Sequence, residues 1–447
     1  MGDDASELDS VALDFDERAA KLALFRAFRE CFLQQSAEPV LLALNPDDVL
    51  NLLPSARARS RVSLSRVSKP TSYSRTLKYP GILQRALRSG HYVVIGNRRT
   101  PNMTKYRRVV VSRYGGPEVL EVVEDALPEP QRGEVRVKIL AAGVSFADVL
   151  MREGVHPETA RPPFSLGWEL VGVVEKLGPG VSGHRPGDRV TALSVRGSYA
   201  EYLCVTAGDL VPVPIGLDPV EVACMAFIHL TAYQMMHRAV RVNAGDRVLI
   251  HSAGGPVGAA LLQLGALFEL EMYGTASQRK HDLVSRLRGT PIDYKAVDFV
   301  DEILRLTGDG VDVVFDGIGG NHILRSYKAL RRKGAVVAFG HATSLIRDGR
   351  LAGGRRSRVR GLPTLAGQIL RSRLIPDGRK VVPYSIQMLK RRHSDWYRED
   401  MTALFALLSG GKLSPIIAKR LGLDEAVRAH ELLVEGSLMG RIMLVMG

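Results

Sequence analysis

Residues 247–265 constrain this chain more than any other stretch. They read Arg247-Val-Leu-Ile-His251-Ser-Ala-Gly-Gly255-Pro-Val-Gly258-Ala-Ala-Leu-Leu-Gln-Leu-Gly265. Val248, Leu249 and Ile250 form a short continuous apolar run, which predicts a buried strand of a parallel sheet. Glycines break the run at a tight turn. Residues 257–270 are then apolar on almost every side, as a helix packed on a sheet would be. Strand, turn and helix together predict a phosphate cradle, because a helix N-terminus offers unpaired N–H groups and a partial positive charge. Within Ala253-x-Gly255-Pro256-Val257-Gly258, Gly255 leaves room for a pyrophosphate and Gly258 lets the helix approach the strand. Ala253 stands where a first glycine is often found. Pro256 removes one N–H but suits the first turn of a helix.

Such a motif is weak by itself and gains from its surroundings. A second apolar stretch, Glu271–Ser277, follows after one helix length, as a βαβ unit demands. A third, Val311–Asp316, runs into Gly317-Ile-Gly-Gly320, and a fourth, Ala335–Phe339, ends at Gly340-His341. The fold class expected is therefore α/β, with a doubly wound parallel sheet and its ligand at the strand C-termini. There the backbone of Gly317, Gly340 and His341 would meet the nicotinamide end of a dinucleotide, although glycines here also serve as plain turn residues.

The second strand ends Thr275-Ala-Ser277-Gln-Arg279-Lys280, with no carboxylate. An acidic residue at this place would hold a ribose 2′-hydroxyl. A hydroxyl and two cations suit a 2′-phosphate better, so NADPH is the cofactor expected, with Ser277 and Lys280 as contacts. The alternative is a solvated helix start with Ser277 as an N-cap.

The chain of 447 residues has room for two or three domains. Cys31, Cys204 and Cys224 are scattered, which suggests a reducing compartment and a cytoplasmic protein. No run of about 18 uncharged apolar residues predicts a membrane span. The net charge of +14 is concentrated. Fifteen Lys and Arg lie between Asp48 and Glu118 with no acid among them, and 13 lie between Leu345 and His393 against two aspartates. Neither run interleaves aromatic residues as a nucleic-acid module does, so solvated segments are expected rather than a nucleic-acid partner; peripheral membrane contact is the lesser alternative. Residues 1–105 read as a partly disordered N-terminal extension. From Tyr106 short strands follow one another, punctuated by Pro and Gly, and predict a small β-barrel ahead of the nucleotide-binding domain.

At this point an ordered set of motifs carries a resemblance. Gly143-Val-Ser-Phe-Ala-Asp148, Gly167-Trp-Glu169, Gly187-Asp-Arg-Val190, Gly197-Ser-Tyr-Ala-Glu-Tyr202, Leu230-Thr-Ala-Tyr233 and the cradle itself resemble the medium-chain dehydrogenase/reductase superfamily. Within it, the chain is most similar to the zinc-free quinone oxidoreductase, or zeta-crystallin-like, group, and to its vesicle amine transport protein branch. The resemblance implies a GroES-like catalytic barrel (106–230), a Rossmann domain (231–387), a connecting helical segment (388–411) and a return to the catalytic domain (412–447). It implies hydride transfer from NADPH to a quinone, an enone or a similar activated carbonyl. A homodimer through a late edge strand at Val381–Ile386 is also implied.

By the same resemblance, Ser145 stands where many relatives place Asn beside the nicotinamide, and His156 replaces a tyrosine in the cleft. His156 would serve as a general acid, or is a surface-loop histidine. Thr231 matches a threonine near the nicotinamide and would open the helix that links the domains; its other role would be a helix cap. Tyr294 matches a tyrosine that packs beside Lys280 near the 2′-phosphate. Asp148 and Glu169 are expected to hold barrel loops. Zinc-binding relatives need Cys or His at the first loop and Gly-His-Glu at the second. Here these read Ala141-Ala-Gly-Val-Ser145 and Gly167-Trp-Glu169, so no metal is expected. Two other functions remain open: an enoyl-thioester reductase, and a catalytically weak NADPH-binding regulatory or membrane- or RNA-associated protein.

Overall fold

The computed structural model describes residues 104–340, 346–347, 350–351, 377–436 and 438–447. His341, residues 1–103 and most of the second basic run lie outside the described residues. Residues 101–447 form one compact unit.

Its first part is rich in antiparallel pairing. Strands β1 (Lys105–Val111) and β2 (Leu120–Ala126) pair with each other. A seven-stranded sheet follows, built from β3 (Glu134–Val144), β4 (Glu169–Leu177), β5 (Arg189–Leu193), β6 (Tyr202–Thr206) and β7 (Val211–Pro212). The chain comes back to this sheet much later. Strand β17 (Arg441–Val445) lies antiparallel to β3, and β16 (Ile417–Gly422) lies parallel to β17.

Between these visits stands a six-stranded sheet. Its strands are β8 (Arg247–Ile250), β9 (Glu271–Ala276), β10 (Gly289–Asp293), β11 (Val311–Asp316), β12 (Leu330–Ala338) and β15 (Lys380–Pro383). Two short paired segments, β13 (Ile346–Arg347) and β14 (Arg350–Leu351), fall between β12 and β15. The order in the sheet is β10-β9-β8-β11-β12-β15, and every pair is parallel. The direction of winding reverses between β8 and β11, which opens a crevice at their C-terminal ends.

Alternation within the strands explains why β8 is apolar throughout. Val248 and Ile250 belong to the large core shared with the antiparallel sheet, whereas Leu249 belongs to a second core on the opposite face. The same split holds in β11, where Val313 and Phe315 point one way and Val314 the other. Both faces are covered, so no polar alternation survives.

One long helical run joins the two sheets. It starts at Pro219, where the Asp218 side chain accepts from the Val220 N–H at 2.7 Å, and continues to Ala239. Two wide π turns, Met225–His229 and Met235–Ala239, interrupt it. Thr231 therefore lies inside this helix and neither opens nor caps it, which corrects the expectation from sequence. The start signal was Asp218-Pro219, twelve residues earlier.

Candidate active site

The cradle is built as the glycine pattern predicts. Ser252 takes a left-handed conformation at φ 57°, and its carbonyl accepts from the Gly255 N–H at 2.8 Å. The helix then runs Pro256–Leu267, with Gly255 as N-cap and Pro256 in the first turn. A β-carbon on Gly258 would stand 2.4 Å from the Ser252 carbonyl oxygen and 2.5 Å from the Ala253 α-carbon, so only glycine fits there. Gly255 is less crowded, with the Ser252 oxygen 3.2 Å from an added β-carbon. Val257 is half-buried beside it. Ala253 replaces the usual glycine because Gly274 makes room: a β-carbon on Gly274 would meet that of Ala253 at 2.6 Å.

Lys280 lays its stem over this turn, with Cδ 2.6 Å from where a Gly254 β-carbon would be. Burial and the neighbouring Arg279 charge both push the Lys280 ammonium below its ordinary range. Among the described residues no carboxylate pairs with it. Arg279 is turned away and donates to the Gly436 carbonyl. Ser277 stands at the N-cap position of the short helix that follows it, but its side chain makes no capping hydrogen bond there. Tyr294 is 54% exposed and directly follows β10, the strand beside β9. Gly317 and Gly340 follow β11 and β12 and touch: a β-carbon on Gly340 would lie 2.0 Å from the Gly317 oxygen.

A buried polar network underlies the crevice. The Asp316 carboxylate accepts from the Ile318 and Gly319 N–H groups at 2.8 and 3.0 Å, from Ser326 Oγ at 2.7 Å and from His322 Nδ1 at 3.0 Å. These donors hold Asp316 well below the usual carboxylate range against its burial. The Ser326 hydroxyl proton is thereby used, so His251 Nε2–H donates to Ser326 Oγ at 3.1 Å. Its Nδ1 then accepts from Thr275 Oγ1 at 3.0 Å. Burial lowers the pKa of this neutral ring to about 3. The network ties the cradle strand to the Gly317–Gly320 turn. Sequence reading missed it, although His251 and Asp316 each sit at the end of an apolar strand. The ligand atoms of His251, Asp316 and His322 lie within 4.8 Å of one another, but hydrogen bonds within the network already engage them.

On the barrel side, Ser145 caps the helix Phe146–Arg152. Its Oγ donates to Asp148 Oδ2 at 2.6 Å and accepts from the Asp148 N–H at 3.3 Å. Asp148 also receives the Gly167 N–H at 3.0 Å, which fixes the loop before Trp168. Burial raises Asp148 to about 6. Glu169 is fully buried and hydrogen-bonded to Arg441 on β17, yet burial still pushes it up to about 7. These two carboxylates hold barrel loops and face no open cleft.

His156 packs edge-on against Trp168, with ring centres 5.1 Å apart, and Trp168 stacks on Phe227 at 5.2 Å. Phe227 lies one turn before Thr231 on the linking helix. His156 Nδ1 accepts the Glu158 N–H at 3.1 Å, so its neutral ring carries the proton on Nε2. Thr231 is 7% exposed, one turn beyond Phe227 on the linking helix. Tyr384 follows β15, and its N–H donates to the Ala338 carbonyl at the end of β12, two residues before Gly340. The stack of His156, Trp168 and Phe227 ends one turn before Thr231, and Ser145 is tied through Asp148 to the Gly167 N–H beside Trp168.

Comparison with known proteins agrees with this arrangement. Residues 131–215 match the family model for the alcohol dehydrogenase GroES-like domain, and residues 289–444 match that for zinc-binding dehydrogenase. The chain is 30% identical over 344 residues to the synaptic vesicle membrane protein VAT-1 homolog of Danio rerio, covering 76% of this chain and 70% of that one. It is 31% identical over 347 residues to 2-haloacrylate reductase of a Burkholderia species, covering 75% and 98%. The structure of Escherichia coli quinone oxidoreductase complexed with NADPH superposes with a TM-score of 0.65 at 27% identity, covering 76% of this chain and 99% of that one.

Proposed function

Because the chain belongs to the medium-chain dehydrogenase/reductase superfamily, in its quinone oxidoreductase and VAT-1 branch, it is an NAD(P)-dependent oxidoreductase of that type, and we propose that it reduces a quinone, an enone or a similar activated carbonyl with NADPH and without zinc. The observation that carries the cofactor choice is Lys280. It is a half-buried cation with no carboxylate partner among the described residues, and its stem lies against Gly254 in the turn ahead of the helix Pro256–Leu267. The residues present fit a dinucleotide phosphate: Gly255, Pro256, Val257 and Gly258 hold the pyrophosphate, while Ser277, Lys280 and Tyr294 face the 2′-phosphate.

Bound NADPH supplies a hydride. The chain's own residues orient the reactants, exclude water and hold a proton. The Ser145 hydroxyl has committed its proton to Asp148. In this reading His156, whose ring packs against Trp168 on the barrel side, is the general acid, and Ser145 is an acceptor. Trp168 fills the position that a zinc ligand holds in metal-dependent relatives and cannot coordinate.

The test is a titration of NADPH and NADH followed by nicotinamide fluorescence, with wild type and Lys280→Ala. The substitution is expected to weaken NADPH by on the order of 1–2 kcal/mol more than NADH. Equal losses for both would remove Lys280 from the 2′-phosphate. A second reading, binding without turnover, is favoured by the committed Ser145 hydroxyl. NADPH binding with no oxidation across a quinone and enone panel would move it ahead.

A further inference from the structure

A small cavity lies along the helix Pro256–Leu267, with room for about one water molecule. Three elements wall it: Ala259 and Gln263 on this helix, Cys224 and His229 on the linking helix, and Arg441 on β17. Two of the polar groups have found partners. The Cys224 thiol meets Met443 Sδ at 3.7 Å. The Gln263 amide engages the Ser414 backbone at both ends, donating to its carbonyl at 2.9 Å and accepting its N–H at 3.1 Å.

His229 and Arg441 differ. They are 3% and 2% exposed. His229 Nδ1 faces the Cys224 carbonyl at 3.3 Å, and a carbonyl can only accept, so the ring proton is on Nδ1. Burial keeps the ring neutral by lowering its pKa to about 4. Nε2 is therefore a bare lone pair, with no partner among the described residues. Arg441 gives its Nη2 to Glu169, whereas its Nε and Nη1 are buried and have no partner among the described residues. An arginine does not lose its charge, so these N–H groups still need an acceptor. One cavity thus brings together a lone pair and unpaired cationic donors. An apolar occupant would satisfy neither. An anion would suit Arg441 but would face the His229 lone pair. A neutral O–H group suits both, because it donates to one and accepts from the other, and the space limits it to a single heavy atom.

We propose that this cavity is a binding site for one internal water, which donates to His229 Nε2 and accepts from Arg441. The water joins the linking helix to β17 beside the helix that carries the cradle, and it lets the buried Arg441 keep its charge.

The test is a crystal structure of the full chain, grown with bromide in place of chloride and measured at the bromine absorption edge. One full-occupancy oxygen is expected within hydrogen-bond distance of both His229 Nε2 and an Arg441 nitrogen, with no anomalous peak on it. A bromide peak there overturns the proposal in favour of an anion site, and a cavity without density overturns it in favour of a dry one. Nitrogen NMR of histidine-labelled protein reads the same site in solution, with the His229 signals identified by their loss in His229→Phe. The tautomer protonated on Nδ1 is expected, with its Nε2 resonance shifted upfield of a bare acceptor. A proton on Nε2, or an Nε2 with the shift of a bare acceptor, overturns the water bridge.

Discussion

At the scale of single residues, the site is governed by where protons already reside. His251 is neutral in the folded chain because burial and two hydroxyl partners leave no place for a second proton. Its folded pKa of about 3 lies below the value of about 6.5 for an unfolded chain. Between these values the unfolded state holds the extra proton, so this contribution to stability is complete above about pH 6.5 and is lost as the pH falls towards 3. Replacing His251 by Gln, which can accept from Thr275 and donate to Ser326, is expected to flatten the acid loss by up to about 1.4 kcal/mol per pH unit. Urea melts at pH 7, 6 and 5 would measure it; parallel wild-type and variant curves would refute it. Asp148 and Glu169 act in the opposite sense, since their raised values weaken the fold as the pH rises through about 6 and 7. That slope should persist in the variant. Little of this was legible beforehand. The hydrogen bond from the Tyr384 hydroxyl to Gln234 joins residues 150 positions apart, and no local spacing signals it. Ser145-x-x-Asp148, by contrast, carries a short-range capping pattern that names its own partner.

At the scale of elements, the cradle separates two uses of glycine that a motif treats alike. Gly258 is surrounded by backbone atoms of Ser252 and Ala253, whereas Gly255 has φ −91° and a single oxygen near its missing β-carbon. Gly258→Ala is expected to cost about 1–3 kcal/mol of stability through overpacking, and Gly255→Ala less than about 1 kcal/mol. Thermal melts of both variants, with NADPH titrations beside them, check the contrast. Equal destabilisation would mean that the turn adapts more than its geometry suggests. The strands of the parallel sheet were legible because apolar cover on both faces writes itself as unbroken runs, as at Val248–Ile250 and Val313–Phe315. The resemblance puts the start of the linking helix at Thr231, whereas the local signal is Asp218-Pro219, and two π turns carry the run on to Ala239.

For the whole molecule, the compact unit spans residues 101–447 and the matched families lie within it. A chain starting at Met103 is therefore expected to keep its melting temperature and its NADPH affinity within about twofold, which calorimetry and titration would check. A large loss of either would give residues 1–102 a part in the fold or the site. Among the described residues no helix is long and apolar enough to cross a membrane. The return of β17 to β3 carries a last consequence, for how the protein is made. On the flank away from β4, strand β3 pairs with β6 over Glu134–Lys138 and with β17 over Ala141–Val144, so its C-terminal end waits for residues 441–445. Some 300 residues must be added first, which at ribosomal speeds of about 5–20 residues per second leaves that end bare for roughly 15–60 s. The nucleotide-binding sheet, whose strands are all made before then, can assemble while the catalytic sheet still waits for β17 and its Arg441. A truncation of a few residues at 441–445 therefore threatens the nascent chain more than the loss of a hundred at its start.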